Sequence, residues 1–329
     1  MRGAALPVSQ PQVRVSIGDA ILPGAISLEV EKVAYFAAGR FVVTMPLRGN
    51  TAFYASLGLQ TITISIAVNP AGYLELLTGQ IDNIRIDLAE TTATLSGRDL
   101  SARLIDTEIS ETFANQTASQ IATTIAARHG LVPNVTATVT PVGQYYELDH
   151  ARSALSLHSR AGTEWNMLSL LAKAENFGLS VTGTTLNFGP VAAGIPVVLA
   201  PQSCISLELD VATTIPAATT VKSWNTRNKT VVTQSAGSGT GNSTTLIRPN
   251  LTSAQASSLA ANHLSVLARH GTILRATIPG ETALTPASVI LLTGTNSSLD
   301  QSYAIDAIIR SVDGRNGFTE TIHAHALPA

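Results

Sequence analysis

Residues 61–68 read TITISIAV. Strict alternation of branched apolar residues with threonine and serine is the signature of a strand with one face buried. A helix would scatter Ile62, Ile64 and Ile66 around its circumference, whereas a strand lines them up on one side. The pattern is not isolated. VRVSI (13–17) and AISLEV (25–30) alternate, RFVVTMPL (40–47) is a short apolar strand stopped by proline, and GQIDNIRIDL (79–88) with TATLSG (92–97) reads as a hairpin pair. Residues 12–105 are therefore expected to be β, with Gly, Pro and Asn turns between strands of barrel or sandwich length. Residues 201–235 and the segments TILRATIPG, SVILLTG, YAIDAIIRSV and FTETIHAHA extend the same reading to the end of the chain.

Three helices interrupt the strands. In NQTASQIATTIAARHG, Thr117 and Gln120 form a capping box, and Ile121, Ala122, Ile125 and Ala126 make an apolar stripe. In TEWNMLSLLAKAENFG, Thr163 is the expected N-cap, Trp165, Leu168, Leu171 and Ala172 the buried face, and Gly178 the terminator. LSVTGTTLNFGP follows as a hairpin. In LTSAQASSLAANHLSVLARHG, Thr252 and Gln255 form a second capping box, and Ala256, Leu259, Ala260, His263, Leu264 and Leu267 line one face.

Short echoes link the two ends of the chain. ISLEV (26–30) matches ISLEL (205–209), and IDNI (81–84) matches IDAI (305–308), in the same order. They point to two related β units. The tetrapeptide ARHG also occurs twice, at 127–130 and 268–271, but on opposite sides of the IDxI strand. That order contradicts a simple duplication. Helix chemistry accounts for it instead, since Arg and His favour the negative C-terminal turn and Gly favours the C′ position.

Charged residues are 13 % of the chain, against roughly 25 % in ordinary soluble domains. With 45 % hydrophobic residues, this points to a large core or to a surface covered by other subunits. No run of about 18 uninterrupted apolar residues exists, so no membrane-spanning helix is expected. Net charge is −2 and the 20 Lys and Arg are scattered, which argues against sequence-reading nucleic-acid binding. MRGAALPVSQPQ has no apolar core of a secretory signal. The single cysteine, Cys204, excludes an internal disulfide and reads as a small buried side chain beside a strand rather than a nucleophile.

The chemistry-bearing residues do not assemble a reaction centre. His129 and His270 have the helix-end explanation. His323 and His325 share a strand face, a spacing that can bind a metal, but no third ligand lies nearby in sequence. Glu208 and Asp210 share a face, as do Glu29 and Glu31 in the echoing strand, so a polar strand face explains both. Asp99 sits beside Arg98 where a turn or ion-pair role suffices. GSGTG (237–241) lacks the Lys-Ser/Thr and the following helix of a phosphate cradle and reads as a hairpin loop. No G-x-S-x-G elbow is present. The expectation is no catalytic, cofactor or metal residue and no cofactor.

ATLSGRDLSARLIDTEISETFANQTASQIATTIAARHGL, with its GRDLSARLID and F-x-N-x-T (Phe113, Asn115, Thr117), resembles the late-control D family of phage tail and baseplate hub proteins. That family is related to the N-terminal hub region of type VI secretion spike proteins. TEWNMLSLLAKAENFGLSVTGTTLNFGP and YAIDAIIRSVDGRNGFTETIHAHA continue the likeness, so that it covers about residues 15–325. The resemblance implies a mainly β chain with inserted helices (α+β) holding two tail-tube-like β-barrel domains. These would span residues 1–105 and 200–329, the second with an inserted helix over 252–270, and a helix and hairpin connecting domain would span 106–199.

The resemblance further implies a non-enzymatic homotrimer whose pseudo-sixfold ring adapts a hexameric tail tube or distal tail protein to a trimeric central spike. A tape-measure protein is a further implied partner. DNA would pass through the channel without sequence-specific contact. The place of action would be the virion tail, assembled in the bacterial host cytoplasm. No lysozyme-like or peptidase-like segment follows the last strand, so a wall-cutting activity is expected on a separate protein. Two other readings stand beside this one. A hydrolase acting on cell wall or carbohydrate predicts a pocket with converging carboxylates. A monomeric carbohydrate- or protein-binding module predicts an exposed aromatic face, which two Trp, six Tyr and seven Phe supply thinly; Trp165 reads as helix core and leaves Trp224.

Overall fold

The computed structural model describes residues 11–68, 72–109, 111, 113, 116–139, 142, 162–191, 196–225, 229–238, 241–269 and 271–327. The chain begins with β1 (Gln12–Ile17), β2 (Ala20–Pro23), β3 (Ser27–Val33) and β4 (Arg40–Pro46). A short helix, α1 (Thr51–Ser56), precedes β5 (Thr61–Ala67), the long β6 (Leu74–Asp87) and β7 (Thr92–Asp99). The alternation in β5 does what its pattern demands: Ile62, Ile64 and Ile66 are buried with Val15, Val30, Phe41, Val43 and Leu95 in one apolar cluster.

A helical segment follows, with α2 (Ala102–Ile105), α3 (Ala118–Arg128), β8 (Val132–Val135), α4 (Glu164–Glu175), β9 (Phe177–Thr182) and β10 (Thr185–Pro190). The Thr117 capping box forms, and Thr163 Oγ1 accepts the Asn166 N–H at 3.2 Å. Ile121, Ile125, Trp165, Leu168 and Leu171 meet Leu179, Leu186 and Phe188 of the hairpin in a second cluster. The terminator of α4 differs from expectation. Asn176, left-handed at φ 58°, ends the helix, and Gly178 lies inside β9. Gly178 is needed for close approach instead, because a Cβ there would stand 2.3 Å from the Tyr35 ring.

The rest of the chain holds β11 (Val197–Leu199), β12 (Ser206–Val211), β13 (Ala218–Asn225), β14 (Thr230–Gly237), β15 (Ser243–Ile247), α5 (Ser253–Ala268), β16 (Thr272–Pro279), β17 (Val289–Leu292), β18 (Ser302–Asp313) and β19 (Gly317–Ala326). β13, β14 and β15 form a small separate sheet under α5, held by Val221, Ala256 and Ala260. On α5, Leu259, His263, Leu264 and Leu267 are only half-buried. Residues 237–241 do not join a hairpin: β14 and β15, on either side of them in sequence, flank β13 on opposite sides, and residues 239–240 lie outside the described residues.

Thirteen strands make one sheet with a repeated order. β3-β4-β7-β6-β5 are antiparallel neighbours, and β12-β16-β19-β18-β17 repeat that order with the same sequence permutation. The two runs are joined edge to edge where β18 pairs with β3, Ala307 opposite Val33 through Val312 opposite Leu28. Among the described residues, no pairing closes either run on itself; β12 and β2 are the ends of the path. The echoes occupy equivalent places. ISLE opens the first strand of each run, and IDxI marks a β-bulge in the fourth.

Candidate assembly interface

The bulges show how closely the runs correspond. In β6 the register slips between Ile81 and Asn83, and in β18 between Ile305 and Ala307, so Asp82 and Asp306 are the inserted residues. Each aspartate reaches a basic side chain on the neighbouring strand, opposite the residue two before it. Arg98, opposite Gln80, donates to Asp82 from Nε at 2.6 Å. His325, opposite Ala304, meets Asp306 at 2.8 Å through Nδ1. The hydrogen bonds from Arg98 hold the Asp82 carboxyl below the usual range, and bonds to Asp82 and Asp106 raise the guanidinium. Even the backbone agrees: Ile81 N–H donates to Gln60 C=O at 3.1 Å, and Ile305 N–H to Ser288 C=O at 2.9 Å. An extra residue in a strand turns its neighbour's direction, which is why a bulge is the place where a strand changes partners.

The other sequence candidates are dispersed. Asp99 accepts the Gly39 N–H at 2.6 Å and the Ser101 N–H at 3.0 Å, tying two loops together, and burial raises its pKa. It lies with Lys32, whose pKa burial lowers, beside a cavity of about 250 Å³ also lined by Thr78 and Gly183. Asp99 thus accepts three hydrogen bonds, from the Gly39 and Ser101 N–H groups and the Ser101 hydroxyl. Glu31 pairs with Arg40, while Glu29, Glu208 and Asp210 face solvent. His323 lies two residues from His325, and burial lowers its pKa. Among the described residues no three His, Cys, Asp or Glu side chains converge as a metal site. Cys204 is half-buried with its thiol 3.6 Å from Ala200 C=O, and burial raises its pKa. Trp165 is buried and donates to Phe36 C=O at 3.3 Å, and Trp224 is half-exposed. No helix among the described residues is long and apolar enough to cross a membrane.

The first ARHG ends α3 as its composition predicts, with His129 as C-cap and Gly130 at φ 67°. It also does something the sequence did not reveal. Arg128 and His129 both pair with Glu164, which is fully buried in the first turn of α4, and Arg128 also pairs with Glu111. A carboxylate at a helix N-terminus beside two basic side chains at another helix's C-terminus locks α3 to α4. In the second copy, Gly271 is not left-handed; it lets Ile215 approach, 2.7 Å from where a Cβ would be. His270 lies outside the described residues.

What the geometry leaves open is strand edge. Among the described residues, β12 pairs only with β16, and β6 beyond Ile81 pairs only with β7. Beside that part of β6 runs a groove of about 380 Å³ lined by Tyr54, Leu57, Leu59, Asp82, Ile84 and Ile86. Apolar side chains stand exposed at both edges, Leu59 and Leu88 at one, Ile205 and Val211 at the other. Free edges with apolar flanks are surfaces that bind another strand.

No family model matches this sequence, and no curated protein sequence matches it. Solved structures do. The 43 kDa tail protein of prophage MuSo2 from Shewanella oneidensis superposes at a TM-score of 0.71 with 18 % identity, over 97 % of each chain. A tail protein from Neisseria meningitidis MC58 gives 0.74 with 14 % identity over 96 % of each. An Escherichia coli component of the type VI secretion system, described as similar in structure to the bacteriophage T4 tail proteins gp27 and gp5, gives 0.57 at 13 % identity, covering 95 % of this chain and 77 % of that one. The fold of this chain is that of phage tail proteins and their type VI secretion counterpart.

Proposed function

We propose that this chain is a non-enzymatic hub of a phage or phage-like tail, three copies of which form a pseudo-sixfold ring. The observation that carries the reading is the internal repeat: one chain holds the same five-strand order twice, with the same bulged aspartate. Three such chains present six similar units, the number needed to sit on a hexameric tube, while keeping true threefold symmetry for a trimeric spike. In this reading residues 1–105 and 200–329 each supply one tube-like barrel unit, completed on assembly. Residues 106–199 brace them, and DNA passes through the central channel. The ring is a virion component assembled in the host cytoplasm, with tube, spike and tape-measure proteins as its neighbours. The tail and type VI secretion settings of the structural neighbours support it, as does a charged fraction of only 13 %. Native mass spectrometry of the purified chain over a range of concentrations tests it. A trimer is expected; a chain that stays monomeric at the highest concentration overturns the ring.

A further inference from the structure

The joint inside the chain specifies a joint between chains. At the Asp306 bulge, β18 leaves β17 and takes β3 as its new partner, beginning with the Ala34 N–H donating to Asp306 C=O at 2.7 Å. At the equivalent Asp82 bulge, β6 leaves β5 and, among the described residues, takes no new partner on that side. The strand equivalent to β3 is β12, which is the other free edge. We propose that residues 83–88 of one copy pair antiparallel with residues 207–212 of the next, in the register of the β18–β3 joint. This rests on the ring reading and names its interface.

The two echoes fix the register. Aligning ISLE with ISLE and IDxI with IDxI transfers Ala307–Val33 to Asn83–Ala212, and each later pair follows in step. Ile84 then faces Val211, Ile86 faces Leu209, and Leu88 faces Leu207. Ile84, Ile86, Leu207 and Leu209 are already half-buried on the core side of their own sheets. The apolar face is thus continuous across the joint. On the other face, Arg85 stands opposite Asp210. Neither makes an ion pair within its own chain among the described residues, whereas Glu31, the equivalent of Asp210, is satisfied by Arg40. Asp87 falls opposite Glu208, an unfavourable pair tempered by Arg275, which lies in register beside Glu208 on β16.

The backbone hydrogen bonds agree. The Ala212 N–H donates at 2.8 Å to the C=O of Gly271, the residue before β16, so by alternation Val211, Leu209 and Leu207 aim their N–H and C=O outward. On β6 the bulge leaves Asp82 C=O, Ile84 and Ile86 aimed at the empty side, as Asp306, Ile308 and Arg310 are aimed at β3. Donors therefore meet acceptors from Asp82 to Ile86, up to the turn that begins at Leu88, and Arg85–Asp210 falls at a position where cross-strand side chains are closest. The joint is head-to-tail, so it closes into a ring when its rotation matches that of the internal joint.

Disulfide trapping tests the register. In a Cys204→Ser background, Arg85→Cys with Asp210→Cys is oxidised with copper phenanthroline and run on non-reducing gels, with light scattering on the unoxidised sample. Covalent dimers and trimers are expected, at least tenfold above the off-register pair Arg85→Cys with Glu208→Cys. Stronger trapping by the off-register pair overturns the register and leaves the ring. A trimer by scattering that neither pair traps overturns the strand joint and leaves the ring. A monomer by scattering overturns both.

Discussion

The two five-strand runs share a backbone plan and fill it differently. Opposite the first bulge, Phe41 stands beside Gly97 across the strands; at the equivalent place, Leu274 stands beside Ala324. The larger ring goes with the smaller partner, so the volume between sheet faces is kept. Four residues past the bulge the runs diverge in kind. Ile86 faces Ala93 in the first, while Arg310 faces Glu320 in the second, both buried, with Arg310 donating to Glu320 at 3.0 Å. The ion pair lies where β18 meets β3, and the apolar pair lies where β6, among the described residues, has β7 alone as neighbour. Equivalent backbone positions thus carry an internal joint in one run and an unpaired edge in the other.

Exchanging the divergent pairs tests the comparison most severely. Arg310→Ala should cost about 3–5 kcal/mol near neutral pH, because Glu320 is left buried without its cation. The loss should shrink at pH 5, where Glu320 takes up a proton. Arg310→Ile with Glu320→Ala, which copies the first run, should be close to neutral in chemical denaturation. A double variant as unstable as the single would show that the runs are not interchangeable here. The size swap comes next. Gly97→Ala should cost about 1–3 kcal/mol, since its Cβ would meet Gln80 C=O and the Phe41 ring. The reverse change, Ala324→Gly, should cost only about 1 kcal/mol. Equal costs would mean that the pairs were misaligned.

The pH dependence sharpens the contrast. Burial raises Glu320 from its ordinary 4.5 to about 7, against the opposing pull of Arg310. A carboxyl with a raised folded pKa binds more protons folded than unfolded between those values. Its contribution to stability therefore falls as pH rises from about 4.5 through about 7. Glu320→Gln should flatten the melting temperature between pH 5 and pH 8. Asp82 has the opposite sign: its pKa is depressed by Arg98, so its contribution is present at neutral pH and lost as pH falls through the lowered value. Because that pair is partly exposed, Asp82→Asn should cost under about 1 kcal/mol at pH 7.

Much of this fold is legible in the sequence. Alternation locates β1, β3 and β5, because each has one buried face, an apolar run stopped by proline locates β4, and the hairpin pattern locates β7. These signals miss β2, and they miss the start of β6, where Leu76, Leu77, Thr78 and Gly79 are buried without interruption. Capping boxes gave the starts of α3 and α5, since those signals are local. The ends were less reliable: Asn176 rather than Gly178 stops α4. The echoes were legible because a bulge demands a short polar residue at one place. Strand order, the Glu164 lock and the free edges were not legible. Each depends on residues far apart in sequence that only the sheet brings together.

The proposed ring makes the two runs alternate members of one sixfold arrangement. Electron microscopy of the purified particle, averaged down its axis, tests it most directly. The rotational spectrum should show a strong sixfold component on a threefold ring with an open centre. A particle with twofold symmetry, or a threefold one without the sixfold component, would contradict it.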